Sequence, residues 1–186
     1  MKIMKKTNRK DKKDAEETLT KSSRKELVLV CGSQGSGKEM FCQCFKNSFL
    51  QSLPVLPLYQ GLVGGLSFAA TSDLTDPKHL TYITAAHDRG YRVTLYYLFS
   101  GRLLCAARNR FSALTDGTPY HEAEFKKGYE SSYRSLVEIY PSTDLVFFIR
   151  NQKGFEFLRA FDPQDTDEAT FKEAVHRVKV AVDTLR

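Results

Sequence analysis

The chain is poor in the residues that build disulfide frameworks and zinc sites, since its 186 residues include only four cysteines and four histidines. The cysteines are too few and too irregularly spaced for a disulfide framework. Cys42 and Cys44 lie two residues apart in a predicted helix and point to different faces, and the histidines show no metal-site spacing. These features argue against a disulfide-rich or zinc-stabilised protein and indicate reduced thiols, as in the cytoplasm.

Long apolar runs are also missing from the sequence. No stretch approaches the length of a membrane span, and no apolar segment follows the N-terminal lysines as it would in a signal peptide. With 41% hydrophobic and 27% charged residues, the composition is that of an ordinary globular domain. The sequence therefore predicts a cytoplasmic protein with no membrane partner.

The chain has no net charge outside its N-terminal segment, residues 1–25. Residues 1–25 hold ten Lys/Arg and four Asp/Glu, so this segment accounts for the whole net charge of +6. Because it has few apolar side chains to bury, it is predicted to be a disordered basic tail, with residues 26–186 forming one domain. A solubilising extension is favoured over a nucleic-acid arm, and the tail is expected to contact nucleic acid weakly at most.

Short apolar strands alternate with amphipathic helices in residues 26–186. Strands are predicted at 27–31, 66–70, 92–99 and 145–149, and helices at 38–51, 77–87, 101–114, 121–140 and 168–185. Nearly continuous apolar strands separated by helices are typical of a parallel sheet covered on both faces. The predicted fold class is α/β, a three-layer fold with a parallel sheet of about five strands.

A glycine-rich loop joins the first predicted strand to the first predicted helix. It reads Gly32-Ser33-Gln34-Gly35-Ser36-Gly37-Lys38 and satisfies the pattern GxxxxGK of phosphate-binding loops. Its glycines let successive N–H groups point at one centre, where the helix N-terminus adds positive charge. Residues 32–39 are therefore predicted to bind the phosphates of ATP or GTP, with Lys38 reaching the β- and γ-phosphates. The alternative is a tight turn with incidental glycines.

Glu39 occupies the position at which such loops normally carry a hydroxyl that ligates Mg²⁺. A carboxylate oxygen also suits this hard ion, so Glu39 is the predicted metal ligand. Its charge would repel the phosphates by roughly a few kcal/mol at an effective dielectric constant of about 20. The loop is expected to bind nucleotide, but phosphoryl transfer is expected to be weak or absent unless Glu39 or Asp73 replaces the missing group.

Three further segments resemble the zeta-toxin-like family of P-loop kinases. LSFAATSDLTDPKHLTYITAAHDRGYRVTLYYLFS is similar to a strand, helix and strand of that family, and ARNRFSALTDGTPYHEAEFKKGYESSYRSL to its arginine-bearing helix, turn and following helix. TDLVFFIRN is similar to its last core strand. With the glycine-rich loop included, the resemblance covers most of residues 27–155. It implies a fold like that of nucleoside kinases and transfer of a γ-phosphoryl group to a hydroxyl of a nucleotide sugar.

The resemblance also implies roles for individual residues and partners. Arg108 and Arg110 match the arginines that clamp the transferring phosphate, and Asn151 matches an asparagine near the nucleotide base. Lys38, Arg108 and Arg110 are therefore the predicted catalytic residues. A protein antitoxin is a further partner that the resemblance suggests.

Several acidic positions of the family pattern have no counterpart here. The acidic residue that the family carries after its second strand has no counterpart in VLPLYQGLVGG, and the glutamate expected after the family's third strand falls near Ala69, Ala70 and Thr71, where there is no carboxylate. Arg150 stands where the family has an aspartate before the asparagine. Asp73 and Asp76 are interpreted as turn residues ahead of Pro77, although either could replace the missing base. Two functions stay open, a small-molecule kinase and a nucleotide-binding or interaction module without turnover.

Overall fold

A computed structural model describes residues 24–45 and 53–184 of the chain. Most of the predicted basic tail and the second half of the first predicted helix lie outside these residues, so both stay predictions, as do the domain boundaries. Among the described residues, no helix combines the length and the apolar content needed to cross a membrane.

Five strands form one sheet in the order β2-β1-β3-β4-β5. They are β1 (Lys25–Cys31), β2 (Phe68–Ser72), β3 (Tyr91–Phe99), β4 (Leu145–Asn151) and β5 (Phe155–Phe161). The first four are mutually parallel, whereas β5 pairs antiparallel with β4. Val55 extends the other edge by a single parallel bridge to Ala69. The predicted sheet is therefore confirmed, with the refinement that its fifth strand is antiparallel.

The described helices cover both faces of the sheet and complete three layers. They are α1 (Lys38–Phe45), α2 (Leu58–Gly64), α3 (His79–Asp88), α4 (Arg102–Asp116), α5 (Glu122–Ile139) and α6 (Glu168–Thr184), with a 3₁₀ turn at Tyr140–Ser142. Alternate residues of β1 point to opposite faces. Leu27 and Leu29 belong to the larger core with α3, α5 and α6, and Val30 packs in a smaller core with Phe41 of α1.

One predicted strand was wrong in its bounds, and one strand of the sheet was not located. The second strand spans 68–72 rather than 66–70, because Leu66 is 69% exposed while Thr71 and Ser72 pair with Val30 and Cys31. Strand β5 was missed because its residues are mostly exposed, as expected of an edge strand, and so lack the continuous apolar run that marked the buried strands. The shift in β2 changes which side chain first follows that strand, and this matters for the site.

The third helix begins at His79 rather than at Pro77. Pro77 lies in a turn in which the Asp76 carboxylate accepts a hydrogen bond from the Lys78 amide. Asp76 therefore has the turn role that its place before a proline indicated.

Candidate functional site

The glycine-rich loop (residues 32–38) runs from the end of β1 to the start of α1, the predicted strand-to-helix position. Gly35 and Gly37 have φ angles of +81° and +92°, which side-chain-bearing residues rarely adopt. A Cβ on Gly37 would lie 2.5 Å from Asn151 Nδ2, and one on Gly35 would lie 2.6 Å from the Cys105 carbonyl oxygen. Backbone conformation and close packing thus both require glycine at these two positions.

Lys38 folds back over this loop and is only 7% exposed. Its ammonium group donates to the carbonyl oxygens of Gly32 and Ser33, at 2.9 and 3.1 Å. Within the described part of the chain, no carboxylate lies within 4.0 Å of this nitrogen. A buried cation without a counter-ion is costly, so the Lys38 site favours an anion.

The loop also keeps several hydrogen-bond groups unused. The amides of Gln34, Gly35 and Gly37 donate to no other described residue, whereas the Ser36 amide closes a turn to Ser33 at 3.0 Å. The Ser36 hydroxyl is fully buried and has no hydrogen-bond partner among the described residues. Unpaired donors around one turn, beside a buried lysine, can bind the oxygens of a phosphate group.

Helix α4 packs against the outer side of the loop and brings Arg108 to it. The Arg108 guanidinium donates to the Gly35 carbonyl at 3.1 Å, and the neighbouring Asn109 amide donates to the Gln34 carbonyl at 3.0 Å. The Ser33 hydroxyl lies 3.6 Å from the Cys105 sulfur. Sequence analysis did not identify Asn109 as a site residue, although its position next to Arg108 on the same predicted helix could have indicated it.

Arg110, the second predicted clamp residue, points away from the loop. Its guanidinium pairs with the Glu122 carboxylate at 3.2 Å and lies 5.1 Å from the centre of the Tyr120 ring. Residues two apart on a helix project in directions about 200° apart, which separates Arg110 from Arg108. The structure therefore brings Arg108, but not Arg110, to the glycine-rich loop.

Asn151 lies directly against the loop. The residue is 5% exposed, and its side-chain amide donates to the Ser36 carbonyl at 2.8 Å. The Ser100 hydroxyl, which the sequence did not single out, lies 2.9 Å from the Asn151 carbonyl and 3.3 Å from the Ser36 carbonyl. In this arrangement Asn151 and Ser100 hold the loop in shape, and the predicted contact of Asn151 with a nucleotide base stays a prediction.

Glu39 lies in the first turn of α1 with its side chain exposed. Among the described residues it forms no ion pair, and no cluster of three or more metal-ligating side chains occurs. Its carboxylate is therefore free to meet a ligand of the loop. The role of Glu39 as a Mg²⁺ ligand stays a prediction.

The end of β2 places a carboxylate beside the loop. Because β2 ends at Ser72, the first residue after it is Asp73, and the Gly32 amide donates to the Ser72 carbonyl at 3.2 Å. Asp73 also accepts hydrogen bonds from the amide and hydroxyl of Thr75, at 3.0 and 2.7 Å. Asp73 thus combines its turn role with a position next to the loop, and its replacement of the carboxylate expected near Ala69–Thr71 stays a prediction.

Two clefts adjoin this arrangement. The Asp73 cleft, of about 520 Å³, lies between the segment after β2 and helices α4 and α5, and it includes Gln34. The Phe155 cleft, of about 970 Å³, is lined by Leu103 and Leu104 of α4 and by residues of the β4–β5 hairpin. The Asp73 cleft therefore reaches the loop at Gln34, whereas the Phe155 cleft is lined by the residues on either side of Asn151, Arg150 and Gln152.

The cysteines near the loop are held in the thiol form. Burial raises the pKa of Cys105 and of Cys31, although the nearby charge of Lys38 opposes both shifts. Burial likewise raises the pKa of Cys42 to about 11. Because the thiolate is the nucleophilic form, these thiols are structural rather than catalytic.

The chain is similar to two solved structures. One comes from the PezAT chromosomal toxin–antitoxin system of the human pathogen Streptococcus pneumoniae, with 13% identity, a TM-score of 0.52 and 98% of each chain covered. The other is the structure of AvrRxo1-ORF1:AvrRxo1-ORF2 with sulphate ions, with 12% identity, a TM-score of 0.55, and 92% of this chain and 68% of that chain covered.

No protein-family model and no curated protein sequence matches the chain. The structural likeness confirms the predicted three-layer α/β fold of the P-loop kinase-like type. At such low identities it establishes the fold alone.

Proposed function

We propose that the chain binds a nucleoside triphosphate at the glycine-rich loop and transfers its γ-phosphoryl group to a hydroxyl of a small molecule. The observation that carries this proposal is Lys38, an almost buried ammonium that has only carbonyl partners among the described residues. Triphosphate oxygens would supply the missing negative charge, and the unused loop amides would share it.

Each side chain around the loop is proposed to have its own role in phosphate binding. Lys38 would bind the β- and γ-phosphates, and Arg108, already beside Gly35, would stabilise charge that develops during transfer. The carboxylate of Glu39 would supply an oxygen ligand of the kind that suits Mg²⁺. Magnesium bound with ATP or GTP would neutralise phosphate charge. The base of the nucleotide is proposed to occupy the Phe155 cleft, next to Asn151.

Asp73 is proposed to activate the acceptor in the cleft that it lines. The acceptor hydroxyl oxygen forms a bond to the γ-phosphorus, and the bond from that phosphorus to the bridging oxygen of the nucleotide breaks. The proton of the hydroxyl passes to the Asp73 carboxylate, and the nucleoside diphosphate leaves with the electron pair. Positioned bases of this kind contribute about 10²–10⁴-fold to rate.

Nucleotide binding is tested by calorimetry with ATP and GTP, with and without Mg²⁺. Replacing Lys38 with Ala is expected to weaken binding at least about tenfold, since a charge-assisted contact contributes about 1.5–3 kcal/mol. Lys172→Ala, at an exposed position of α6, is the matched control and is expected to bind normally. Equal affinity of the parent and of Lys38→Ala, or no binding by the parent, contradicts the proposal.

Phosphoryl transfer is tested separately with Asp73→Asn and a panel of hydroxyl compounds that includes nucleotide sugars. The expected result is unchanged nucleotide affinity with kcat lower by about 10²–10⁴-fold. Binding without transfer to any acceptor would instead favour the second function, a nucleotide-binding module without turnover. An antitoxin partner stays a prediction that the PezAT likeness makes worth testing by co-expression.

A further inference from the structure

His79 is a buried histidine to which the proposed reaction gives no role. It is the first residue of α3 and is 8% exposed. One ring nitrogen, Nε2, lies 2.5 Å from the Ser72 hydroxyl oxygen, and the other, Nδ1, lies 2.5 Å from the Asp76 carbonyl oxygen. Both ring nitrogens therefore have a partner, and one of these partners is the last residue of β2.

These contacts fix the tautomer of the neutral ring. A carbonyl oxygen can only accept a hydrogen bond, so Nδ1 carries the proton and donates it to Asp76, which leaves Nε2 to accept from the Ser72 hydroxyl. The oxygen of that hydroxyl also accepts a hydrogen bond from the Leu74 amide, at 2.9 Å. A single chain of hydrogen bonds thus runs from the Leu74 amide through Ser72 and the imidazole ring to a backbone carbonyl.

Leu74, at one end of this chain, has a backbone conformation that side-chain-bearing residues seldom adopt. Its φ angle is +61°, and no other non-glycine residue in the described ranges has a positive φ. Its side chain is fully buried in the larger core. Strained conformations persist only where the surroundings hold them, and they concentrate at functional sites. Here core packing holds the side chain and the Ser72 hydroxyl holds the amide.

Asp73 lies between the two residues that this hydrogen-bond chain connects. Ser72 precedes it and is joined to the glycine-rich loop, because the Ser72 carbonyl accepts a hydrogen bond from the Gly32 amide at 3.2 Å. Leu74 follows it. Asp73 lines the Asp73 cleft, whereas neither Ser72 nor His79 is part of its lining. The imidazole ring can therefore act on a ligand of the cleft only through the backbone that carries the Asp73 carboxylate.

We infer that His79 is a positioning residue for Asp73 and acts through the Ser72 hydroxyl. The inference rests on the proposed function, in which Asp73 takes the proton of the acceptor hydroxyl. A general base works only within hydrogen-bond reach of that proton. With the ring in place, the Ser72 oxygen holds the Leu74 amide, and the turn keeps the carboxylate at the cleft. Without the ring, the Ser72 hydroxyl loses its acceptor and the turn loses its hold on the carboxylate.

The tautomer of His79 is tested first, by NMR of the ¹⁵N-labelled protein at pH 8. The ring is expected to carry its proton on Nδ1, with Nε2 unprotonated. A proton on Nε2 overturns the inference, because the ring could then not accept from the Ser72 hydroxyl.

Two variants separate the hydrogen bond from the aromatic ring. His79→Gln and His79→Ala both remove the imidazole, but the Gln amide oxygen can accept from the Ser72 hydroxyl, whereas Ala offers no acceptor. The amides of Leu74 and Thr75 report on the turn, since the Thr75 amide donates to the Asp73 carboxylate. Their NMR signals are expected to shift in the Ala variant and to stay close to the parent in the Gln variant. Equal shifts in the two variants, or no shift in either, overturn the inference.

Phosphoryl transfer gives an independent readout. His79→Ala is expected to lower kcat by up to about 10²-fold, the cost of misplacing a catalytic group by about 1 Å, with nucleotide affinity unchanged by calorimetry. His79→Gln is expected to retain most of the activity. In combination with Asp73→Asn, His79→Ala is expected to cause no further loss, because the ring acts through that carboxylate. A further loss in the double variant, or an equal loss in the Gln variant, overturns the assignment.

His87→Ala is the matched control. His87 lies at the other end of α3 and donates from Nε2 to the Ser142 carbonyl at 2.9 Å, so this variant also removes an imidazole hydrogen bond from the same helix. It is expected to lower stability in urea unfolding without changing kcat or the signals of Leu74 and Thr75. A loss of kcat equal to that of His79→Ala overturns the inference.

Failure of this inference is distinguishable from failure of the proposed function. The NMR comparisons need neither nucleotide nor turnover, so they decide whether His79 holds the turn at Asp73 even if the parent transfers phosphate to no acceptor. If the parent turns over and both His79 variants behave alike, the positioning role is wrong and the proposed function stands.

Discussion

Glu39 illustrates how one side chain can serve stability and chemistry in opposite ways. In the first turn of α1 its carboxylate is favoured by the partial positive charge of the helix N-terminus. The negative charge of the Glu39 carboxylate would also repel phosphates bound at the neighbouring Lys38, unless a Mg²⁺ ion lay between the carboxylate and the phosphates. Helix stabilisation therefore explains a glutamate at position 39 without any metal. Substitution of Glu39 is the experiment that separates helix stabilisation from Mg²⁺ binding.

The first prediction concerns that substitution. Glu39→Ser restores the loop hydroxyl and is expected to raise phosphoryl transfer, because a serine hydroxyl ligates Mg²⁺ without the charge repulsion of a carboxylate. Glu39→Ala provides neither group and is not expected to raise it. Turnover is measured with Mg-ATP and Mg-GTP across the acceptor panel. If the parent already turns over at about 1–100 s⁻¹ and both variants are inactive, Glu39 is itself the working ligand and the prediction is wrong.

A second residue-scale prediction concerns Gly37. Gly37→Ala places a Cβ at φ +92° and 2.5 Å from Asn151 Nδ2, so it is expected to lower the free energy of unfolding by about 1–3 kcal/mol. Gly64→Ala is the control, since Gly64 ends α2 with open space around it. Urea unfolding of both variants measures the difference. Equal stability of the two variants would show that the loop is not constrained as described.

Helix α4 is the element on which the site depends, and its first turn is held from the far end of the chain. The Asp183 carboxylate of α6 accepts a hydrogen bond from the Arg102 amide at 2.8 Å and lies 2.8 Å from the Tyr129 hydroxyl. A Cβ on Gly101 would lie 2.4 Å from the Val182 carbonyl oxygen, so α6 also packs closely against the residue that precedes α4. The last turn of α6 thereby positions the helix that carries Arg108.

The element-scale prediction follows from this cap. Asp183→Ala is expected to lower the free energy of unfolding by about 1 kcal/mol, because it leaves the first amide of α4 without its acceptor. Faster hydrogen exchange is expected in the first turns of α4 but not in β1. Asp183→Asn retains an acceptor oxygen and is expected to lose less. Uniform exchange changes across the sheet would contradict a local role for Asp183.

At the scale of the whole molecule, the larger core holds a group of buried tyrosines. Tyr97, Tyr129 and Tyr133 lie between β3 and α5, and the Tyr129 and Tyr133 hydroxyls are 3.2 Å apart. Burial raises the pKa of each of these phenols above its ordinary value. The folded protein therefore keeps protons that the unfolded chain releases at alkaline pH.

Alkaline pH is accordingly expected to destabilise the fold. The pKa values of these tyrosines are higher in the folded protein than in the unfolded chain. Their contribution to the free energy of unfolding is therefore fully present below about pH 9. It declines as the pH rises further, by up to about 1.4 kcal/mol per pH unit for each tyrosine. Urea unfolding at increasing pH measures the slope. Tyr133→Phe is expected to reduce it, and Tyr59→Phe, at an exposed site, is not. An unchanged slope in Tyr133→Phe would refute the assignment.

The sequence alone determined the features that depend on local pattern. The GxxxxGK spacing placed the loop between a strand and a helix, because glycines, an apolar run and a helix start are contiguous in the chain. Alternation of strands and helices predicted the α/β class for the same reason. The turn interpretation of Asp76 before Pro77 also rested on neighbouring residues and agrees with the structure.

The tertiary structure decided which distant side chains meet at the loop. Arg108 rather than Arg110 reaches it because helix packing selects one face of α4, and Asp73 adjoins it because strand pairing carries β2 to Ser72. The contact of Asn151 with Ser36 spans 115 residues, and that of Asp183 with Arg102 spans 81. Contacts of this range depend on register and packing angles, which the local sequence pattern does not contain.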